Sequence, residues 1–465
     1  MKKLLFIILS LALFTACEPK IDEFPASANG VDFSNFVVVG NSLSAGYADG
    51  ALYLSGQKNS IPNIMATQFK HVGGGDFRQP LIGTEDGVGF QPIPGGIYCY
   101  PKMSLQVIQD KDCAGNPLTT ASLKPALLYP PADQNALKQQ LYATPTQTGP
   151  YNNMGVPGIN LQQAFFPGYG SPLGNPFYTR FASNPMATVL GDAAAQQPTF
   201  FMMWLGDNDA LSSALAGTDL LLTPADTFAK YYPLAVGAMI NSGKTPKGVL
   251  CNIPDVTSIP FFTTISKSLP YDNVVLTAEQ ASGLNILYGM YGHPEIVWKE
   301  GRNPFVYTKS DGSWAQMTAD DLFLLNIPTD SIKCKGMGIA DQSATPLPKP
   351  YPIPGKFVLD KAEQTRIREA VTAYNQSISA VAANFNLALA DVNSYLKSFQ
   401  SGMVFDGIKM STTFVTGGTF STDGIHMNPR GNAVAANFII QAINNKYGCS
   451  IPQADITKYQ GLVFP

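Results

Sequence analysis

Phe36-Val37-Val38-Val39-Gly40-Asn41-Ser42-Leu43-Ser44-Ala45-Gly46-Tyr47 is the stretch on which the reading of this chain turns. Its apolar, β-branched start has the pattern of a strand buried on both faces of a parallel sheet. Gly40 breaks the run, and small polar residues take over at Ser42. A hydroxyl is thereby expected at the C-terminal end of a first strand, beside a helix start. Open α/β sheets place their sites at that end, and a helix start offers backbone N–H groups to an anion. A serine in this place also serves as a plain helix N-cap, so the choice between the two roles depends on residues far downstream.

Working outward, the chain repeats the strand-then-helix pattern. Ile61 to Phe69 has helical character. Asn152 to Leu161 reads as a short strand, a glycine turn and the beginning of a helix. Pro185 to Ala195 reads as a helix running into a second buried strand, Thr199 to Leu205, which stops at Gly206-Asp207-Asn208-Asp209. Pro224 to Ile240 is helical, with Pro and Asp in the first turn where both are favoured. Gly248 to Ile253 is another short buried strand. Asp360 to Phe385 is a long helix, Leu387 to Asp391 a last strand, and Asn432 to Tyr447 an amphipathic helix. Alternating strands and helices argue for a parallel, doubly wound sheet.

Two Gly/Pro- and aromatic-rich stretches interrupt this order, at about 71–150 and 255–355. The first is expected to pack on the surface and carry short hairpins, since a structureless loop of that length is unusual in a compact domain. The second carries one expected helix, Ala278 to Tyr291. Pro260-Phe261-Phe262 lies just beyond the Gly248 to Ile253 strand end and is expected to reach the substrate pocket.

Composition narrows the functional classes. The chain has 465 residues, 45% hydrophobic and only 14% charged, with a net charge of −3. It lacks the basic footprint of a nucleic-acid partner. Residues 1–17 read as a secretory signal, with basic Lys2-Lys3 followed by a short apolar run from Leu4 to Phe14. The ending Leu13-Phe14-Thr15-Ala16-Cys17 resembles a bacterial lipobox, in which the cysteine is lipidated. That implies an exported, membrane-anchored lipoprotein, expected at the outer membrane. A polar tether would follow over 18–30, then a main domain over 31–448 and a tail over 449–465.

Of the six cysteines, Cys251 lies in an apolar strand and reads as a buried thiol. Cys99 and Cys113 bracket a short loop and are the expected disulfide pair among Cys99, Cys113, Cys334 and Cys449. No C-x-x-C pair or His/Cys cluster suggests a metal.

The chain has three histidines, His71, His293 and His426. His426 follows Asp423 by three residues on a glycine-containing loop. There one carboxylate oxygen can accept from the imidazole Nδ1–H, leaving Nε2 as a base. His71 and His293 fall in the insertions and read as bystanders. Asn208, just past a strand end, can offer an amide N–H to a developing oxyanion, as can the N–H of Gly158. Taken singly, Gly206 to Asp209 also reads as a solvated turn.

Four patches in this order resemble the blocks of the SGNH hydrolase superfamily, the GDSL-type esterases and lipases. Gly40-Asn41-Ser42-Leu43 is similar to the nucleophile block, and Asn152 to Asn160 to the block with the oxyanion glycine. Gly206-Asp207-Asn208-Asp209 is similar to the G-x-N-D block, and Asp423-Gly424-Ile425-His426 to the D-x-x-H block. The resemblance implies a flavodoxin-like three-layer α/β/α sandwich without metal or cofactor. It implies Ser42 as nucleophile, His426 as base and Asp423 as its orienter, with the Ser42 and Gly158 N–H groups and Asn208 as oxyanion donors. The expected activity is ester hydrolysis through an acyl-enzyme on a small-molecule, lipid or glycan ester. The alternatives are a carbohydrate O-deacetylase, or a catalytically silent lipoprotein that binds a glycan or lipid. Asn41 departs from the family, which usually has Asp there, and the intervals holding the insertions are longer than in compact members. The G-x-S-x-G elbow of α/β-hydrolases is missing, because Ser44 stands where its second glycine would be.

The lipobox reading makes Cys17→Ser decisive for anchoring. The variant is expected to be released as soluble protein or to remain an unprocessed precursor. Lipid labelling that persists in the variant would contradict the anchor.

Overall fold

The computed structural model describes residues 25–465 except 245, 342, 345 and 346. The signal-like stretch 1–17, Cys17 and most of the expected tether lie outside the described residues. The centre is a five-stranded, all-parallel sheet. Its strands are β1 (Phe36–Gly40), β2 (Asn153–Gly155), β3 (Phe200–Trp204), β4 (Lys247–Cys251) and β5 (Ala388–Ala390). The spatial order is β2-β1-β3-β4-β5, a doubly wound order whose switch point falls beside β1. This is the flavodoxin-like α/β architecture.

The strands are apolar throughout because both faces are covered, and their residues alternate between two cores. Val37, Val39, Phe201, Met203 and Leu250 face one side. There they meet α3 (Val189–Ala194), α5 (Ala225–Ile240) and α6 (Lys361–Asn384). Phe36, Val38, Phe200, Met202, Trp204 and Cys251 face the other side. That face packs on α2 (Ile61–Phe69), α7 (Val392–Phe399) and α8 (Pro429–Tyr447). Two short helices follow β1 and β3 directly: α1 (Ser42–Ala45) and α4 (Asp207–Leu215).

Helix ends follow side-chain chemistry. In α6, Asp360 and Glu363 form a reciprocal capping box. Asn428 caps α8, and Pro429 opens that helix three residues earlier than its hydrophobic pattern suggests. The expected helix over 185–195 is shorter, because Thr188 caps it by accepting from the Gly191 N–H.

Both insertions carry regular structure among the described residues. The first holds two antiparallel hairpins, Gly89–Ile93 with Gly96–Tyr100 and Met103–Lys111 with Pro117–Leu127. It also holds a helix, Gln134–Leu141. The second builds its own core around Tyr288, Trp298, Phe305 and Tyr307, with the expected helix at Ala278–Met290. The C-terminal stretch is packed as well: Ile451, Ala454 and Ile456 are buried, and Ser450 pairs with Ser27.

The expected Cys99–Cys113 disulfide is corrected. Cys113 pairs with Cys334, tying the tip of the long hairpin to the second insertion across 221 residues of sequence. Cys99 instead points into the small core beneath the first insertion, with Leu52, Val88 and Leu137, and is a free thiol like Cys251 and Cys449.

Phe262 is fully buried in the sheet core, so it is a packing residue and does not wall a substrate pocket. Phe262→Ala should cost about 3–5 kcal/mol of stability and leave acyl-chain preference unchanged. A changed preference with an unchanged Tm would contradict this placement.

Candidate active site

The register of three adjacent strands brings the site together. Gly40 at the end of β1 is paired with Gly155 of β2 on one side and Trp204 of β3 on the other. Neighbouring strands lie about 4.8 Å apart, so the residues that follow these three leave the sheet side by side. They are Ser42, Gly158 and Asn208.

Ser42 is the first residue of α1. Its neighbour Asn41 caps the helix, its side-chain oxygen accepting from the Leu43 N–H at 2.9 Å. The Ser42 hydroxyl lies 2.8 Å from His426 Nε2, and His426 Nδ1 lies 2.8 Å from Asp423 Oδ2. With Asp423 accepting from Nδ1–H, Nε2 is left to accept from the hydroxyl. All three residues are buried, between 7% and 8% exposed, which strengthens these contacts by excluding water. The Tyr47 ring closes one side, 5.0 Å from the imidazole. The structure thus brings Ser42, His426 and Asp423 into one hydrogen-bonded chain.

The Asp423 carboxylate has four donors. Oδ1 accepts from the N–H groups of Ile425 and His426, each at 2.8 Å. Oδ2 accepts from the His426 ring and, at 3.0 Å, from the Gly50 N–H. Burial works to raise its pKa. The charge and ring contact of His426 and the loop N–H groups outweigh that and hold it at about 2.

Gly158 sits at the third position of the turn Val156-Pro157-Gly158-Ile159, with φ +81°. Pro at the second place and a positive φ at the third define a type II turn, which is why glycine is needed. The turn leaves Gly158 exposed, while Ile159 and Leu161 are buried. Asn208 donates from Nδ2 to the Ile159 carbonyl at 2.8 Å. An amide nitrogen has two N–H groups, so the second is available to a ligand. Asp209 Oδ2 accepts from the Leu161 N–H at 2.9 Å, and Oδ1 from the Thr223 hydroxyl. Adjacent residues of α4 therefore hold the Gly158 loop from two points.

Gly206 to Asp209 is not a solvated turn. It opens α4, and Asp207 and Asp209 are both buried. Asn41 Nδ2 donates to Asp207 Oδ2 at 2.5 Å, so a carboxylate stands behind the Ser42 turn on α4 rather than at position 41. Burial pushes Asp207 up to about 7 and Asp209 up to about 6, in both cases against their hydrogen-bond donors.

Neither remaining histidine joins this group. His293 stacks on Trp314 in the second insertion and contacts Glu295. His71 lies in a short 3₁₀ turn after α2. The residues missed from sequence are Asn41 with Asp207, and the Asp49-Gly50 turn that reaches Asp423. An Asp-Gly dipeptide is a recognised turn signal, but nothing local says what such a turn will touch.

No protein-family model matches the chain, and no curated protein matches it. Among solved structures, a crystal structure described as a "putative GDSL-like lipase" from Parabacteroides merdae overlaps 63% of this chain and 72% of its own. The identity is 11% and the TM-score 0.28, too loose a superposition to decide fold or chemistry.

A raised carboxyl pKa in the folded state contributes stability that is full below the unfolded value and lost as pH rises through the folded value. For Asp207 that window runs from 3.8 to about 7. The Tm of the parent should therefore fall relative to that of Asp207→Asn as pH rises from about 5 to about 8. Parallel Tm curves across that range would contradict the assignment.

Proposed function

We propose that the protein is a serine ester hydrolase working through an acyl-enzyme. The observation that carries the proposal is the continuous chain from the Ser42 hydroxyl through His426 to Asp423, with 2.8 Å at each link. A neutral serine hydroxyl is a weak nucleophile, and an oriented imidazole is what activates it. A module that only binds its ligand has no need of such a chain.

In this reading His426 Nε2 takes the Ser42 proton as Oγ attacks the ester carbonyl. The negative charge that develops on the carbonyl oxygen is met by the Ser42 and Gly158 N–H groups and the Asn208 amide. Collapse of the tetrahedral species expels the alcohol, which receives the proton from His426. Water, deprotonated by the same imidazole, then attacks the acyl-enzyme and frees Ser42. Asp423 stays ionised and stabilises the imidazolium in both halves. The order of the four sequence blocks resembles SGNH hydrolases and supports the same assignment of roles.

The acyl side is read from a cavity of about 60 Å³ beside the nucleophile turn. Leu43 and Ile425, the chain neighbours of Ser42 and His426, line it together with Trp204, Ile259, Phe420 and Val434. Its walls are almost wholly apolar and its volume is small, so we assign it a short acyl group rather than a long fatty chain. An O-acetyl group on a sugar satisfies the same requirement, and that keeps carbohydrate deacetylation as the second reading. With residues 1–17 read as a lipoprotein signal, the enzyme would work outside the cytoplasm on a membrane surface.

Turnover should be greatest on acetyl to butyryl esters. It should fall to background in Ser42→Ala. Asn208→Ala should lose on the order of 10²–10³ in kcat with little change in KM. A panel of simple esters of graded acyl length, run beside acetylated sugars, checks all of this. Robust hydrolysis by Ser42→Ala would defeat the mechanism. Absence of turnover in the parent, with ligand binding indifferent to Ser42, would favour the binding-protein reading.

A further inference from the structure

The first insertion reaches the acid of the triad through one tight turn. Ala48 and Ala51 exchange both backbone hydrogen bonds, at 3.0 and 3.1 Å. The two residues between them have positive φ, +55° at Asp49 and +74° at Gly50. This is the two-residue hairpin turn that Asp-Gly favours. Its tip is half-buried, packed against the loop that carries Asp423.

Nearly every polar group of the turn is used there. The Gly50 N–H donates to Asp423 Oδ2, the oxygen that also receives the His426 ring proton. The Asp49 N–H donates to the Ser421 hydroxyl at 3.0 Å. Asp49 Oδ1 accepts from the Thr422 N–H at 3.0 Å and from its hydroxyl at 2.7 Å. On the far side, Asp49 Oδ2 accepts from the Tyr53 hydroxyl at 2.7 Å, and the Asp49 carbonyl accepts from the Met103 N–H at 2.8 Å. Met103 begins the long hairpin of the first insertion. Val88, at the start of the other hairpin, pairs with Leu52 just past the turn. The Lys102 ammonium sits over the Tyr53 ring, 4.3 Å from its centroid.

We infer that Asp49 is a positioning residue for the triad, through which the first insertion fixes the orientation of the Asp423 carboxylate. Its side chain clamps Thr422, its backbone clamps Ser421, and the turn it opens delivers the Gly50 N–H. Without the clamp Asp423 keeps its own loop donors, Ile425 and His426, on Oδ1, but loses the contact that fixes Oδ2 toward the imidazole. The inference rests on the serine-hydrolase reading and extends it. The insertion then serves the chemical step whatever part it has in substrate choice.

The test is steady-state ester hydrolysis by Asp49→Ala and Asp49→Asn, with Tm measured for each and Ser42→Ala as the background control. Asn tolerates the positive φ, and its amide oxygen can still accept from Thr422, so it should recover most of the activity. Asp49→Ala should lose on the order of 10² in kcat with KM unchanged, since small misplacements of catalytic groups have effects of that size. If Asp49→Ala does not fold, Thr422→Val and Asp49→Asn carry the same comparison, Thr422→Val falling in kcat and Asp49→Asn staying within a few-fold of the parent. A parental kcat in a folded Asp49→Ala, or in Thr422→Val where Asp49→Ala does not fold, would overturn the inference alone. So would equal kcat losses in the Ala and Asn variants with a raised KM. Hydrolysis in the parent that survives Ser42→Ala would overturn the underlying reading and the inference with it.

Discussion

The buried Asp423 carboxylate is the point to which the rest of the site is tied. A charge taken out of water is tolerated only where hydrogen bonds replace its hydration. Asp423 has four such bonds, three from its own loop and the His426 ring and one from Gly50. The loop is also held from the opposite side. The Phe261 N–H donates to the Gly424 carbonyl at 2.9 Å, and the Leu325 N–H to the Phe261 carbonyl at 2.8 Å. Gly424 lies so close to this segment that a Cβ there would come within 2.9 Å of Leu325 and 3.2 Å of the Phe261 nitrogen. The Asp423 loop is thus gripped by the Asp49-Gly50 turn, which the first insertion braces through Met103, and by Phe261 of the second insertion. The Cys113–Cys334 disulfide links the two insertions to each other.

The Ser42 side depends on a different constraint, the parallel register of β2, β1 and β3. Pairing Gly40 with both Gly155 and Trp204 aligns three loops that are far apart in sequence. From there local chemistry takes over. A Pro-Gly turn presents Gly158, α4 presents Asn208, and Asn41 stitches α1 to Asp207. Asn at position 41 is consistent with that last contact. A second carboxylate at 2.5 Å from Asp207 would force one of the two to keep a proton, whereas an amide can donate.

What was legible in the sequence follows from where side chains are buried. The central strands show as unbroken apolar runs because both faces are covered, and the Ser42, Asp423 and His426 blocks carry their chemistry within a few residues. The hairpin Met103–Lys111 with Pro117–Leu127 gave no such signal. Many of its residues are exposed, Val107 at 66% among them, so it has no buried face to impose alternation. The Cys113–Cys334 pairing joins two insertions, and short spacing pointed instead to Cys99, whose side chain belongs to a local core. Asp207 and Asp209 read as solvent-facing because charged residues usually are. Their partners, Asn41, Leu161 and Thr223, are distant in sequence, and only the folded sheet brings them near. Phe262 reads as a pocket residue by its place after a strand end, yet its ring turns inward to the core.

The proposed mechanism makes Ser42 a nucleophile activated by His426. Incubation with an activated organophosphonate, followed by proteolysis and mass spectrometry, detects such a serine, because the reagent is captured by an activated serine and is not turned over. One stoichiometric adduct is expected on the peptide containing Ser42, with its loss in His426→Ala. An adduct on another residue, or labelling of Ser42 at the parental rate in His426→Ala, would contradict it.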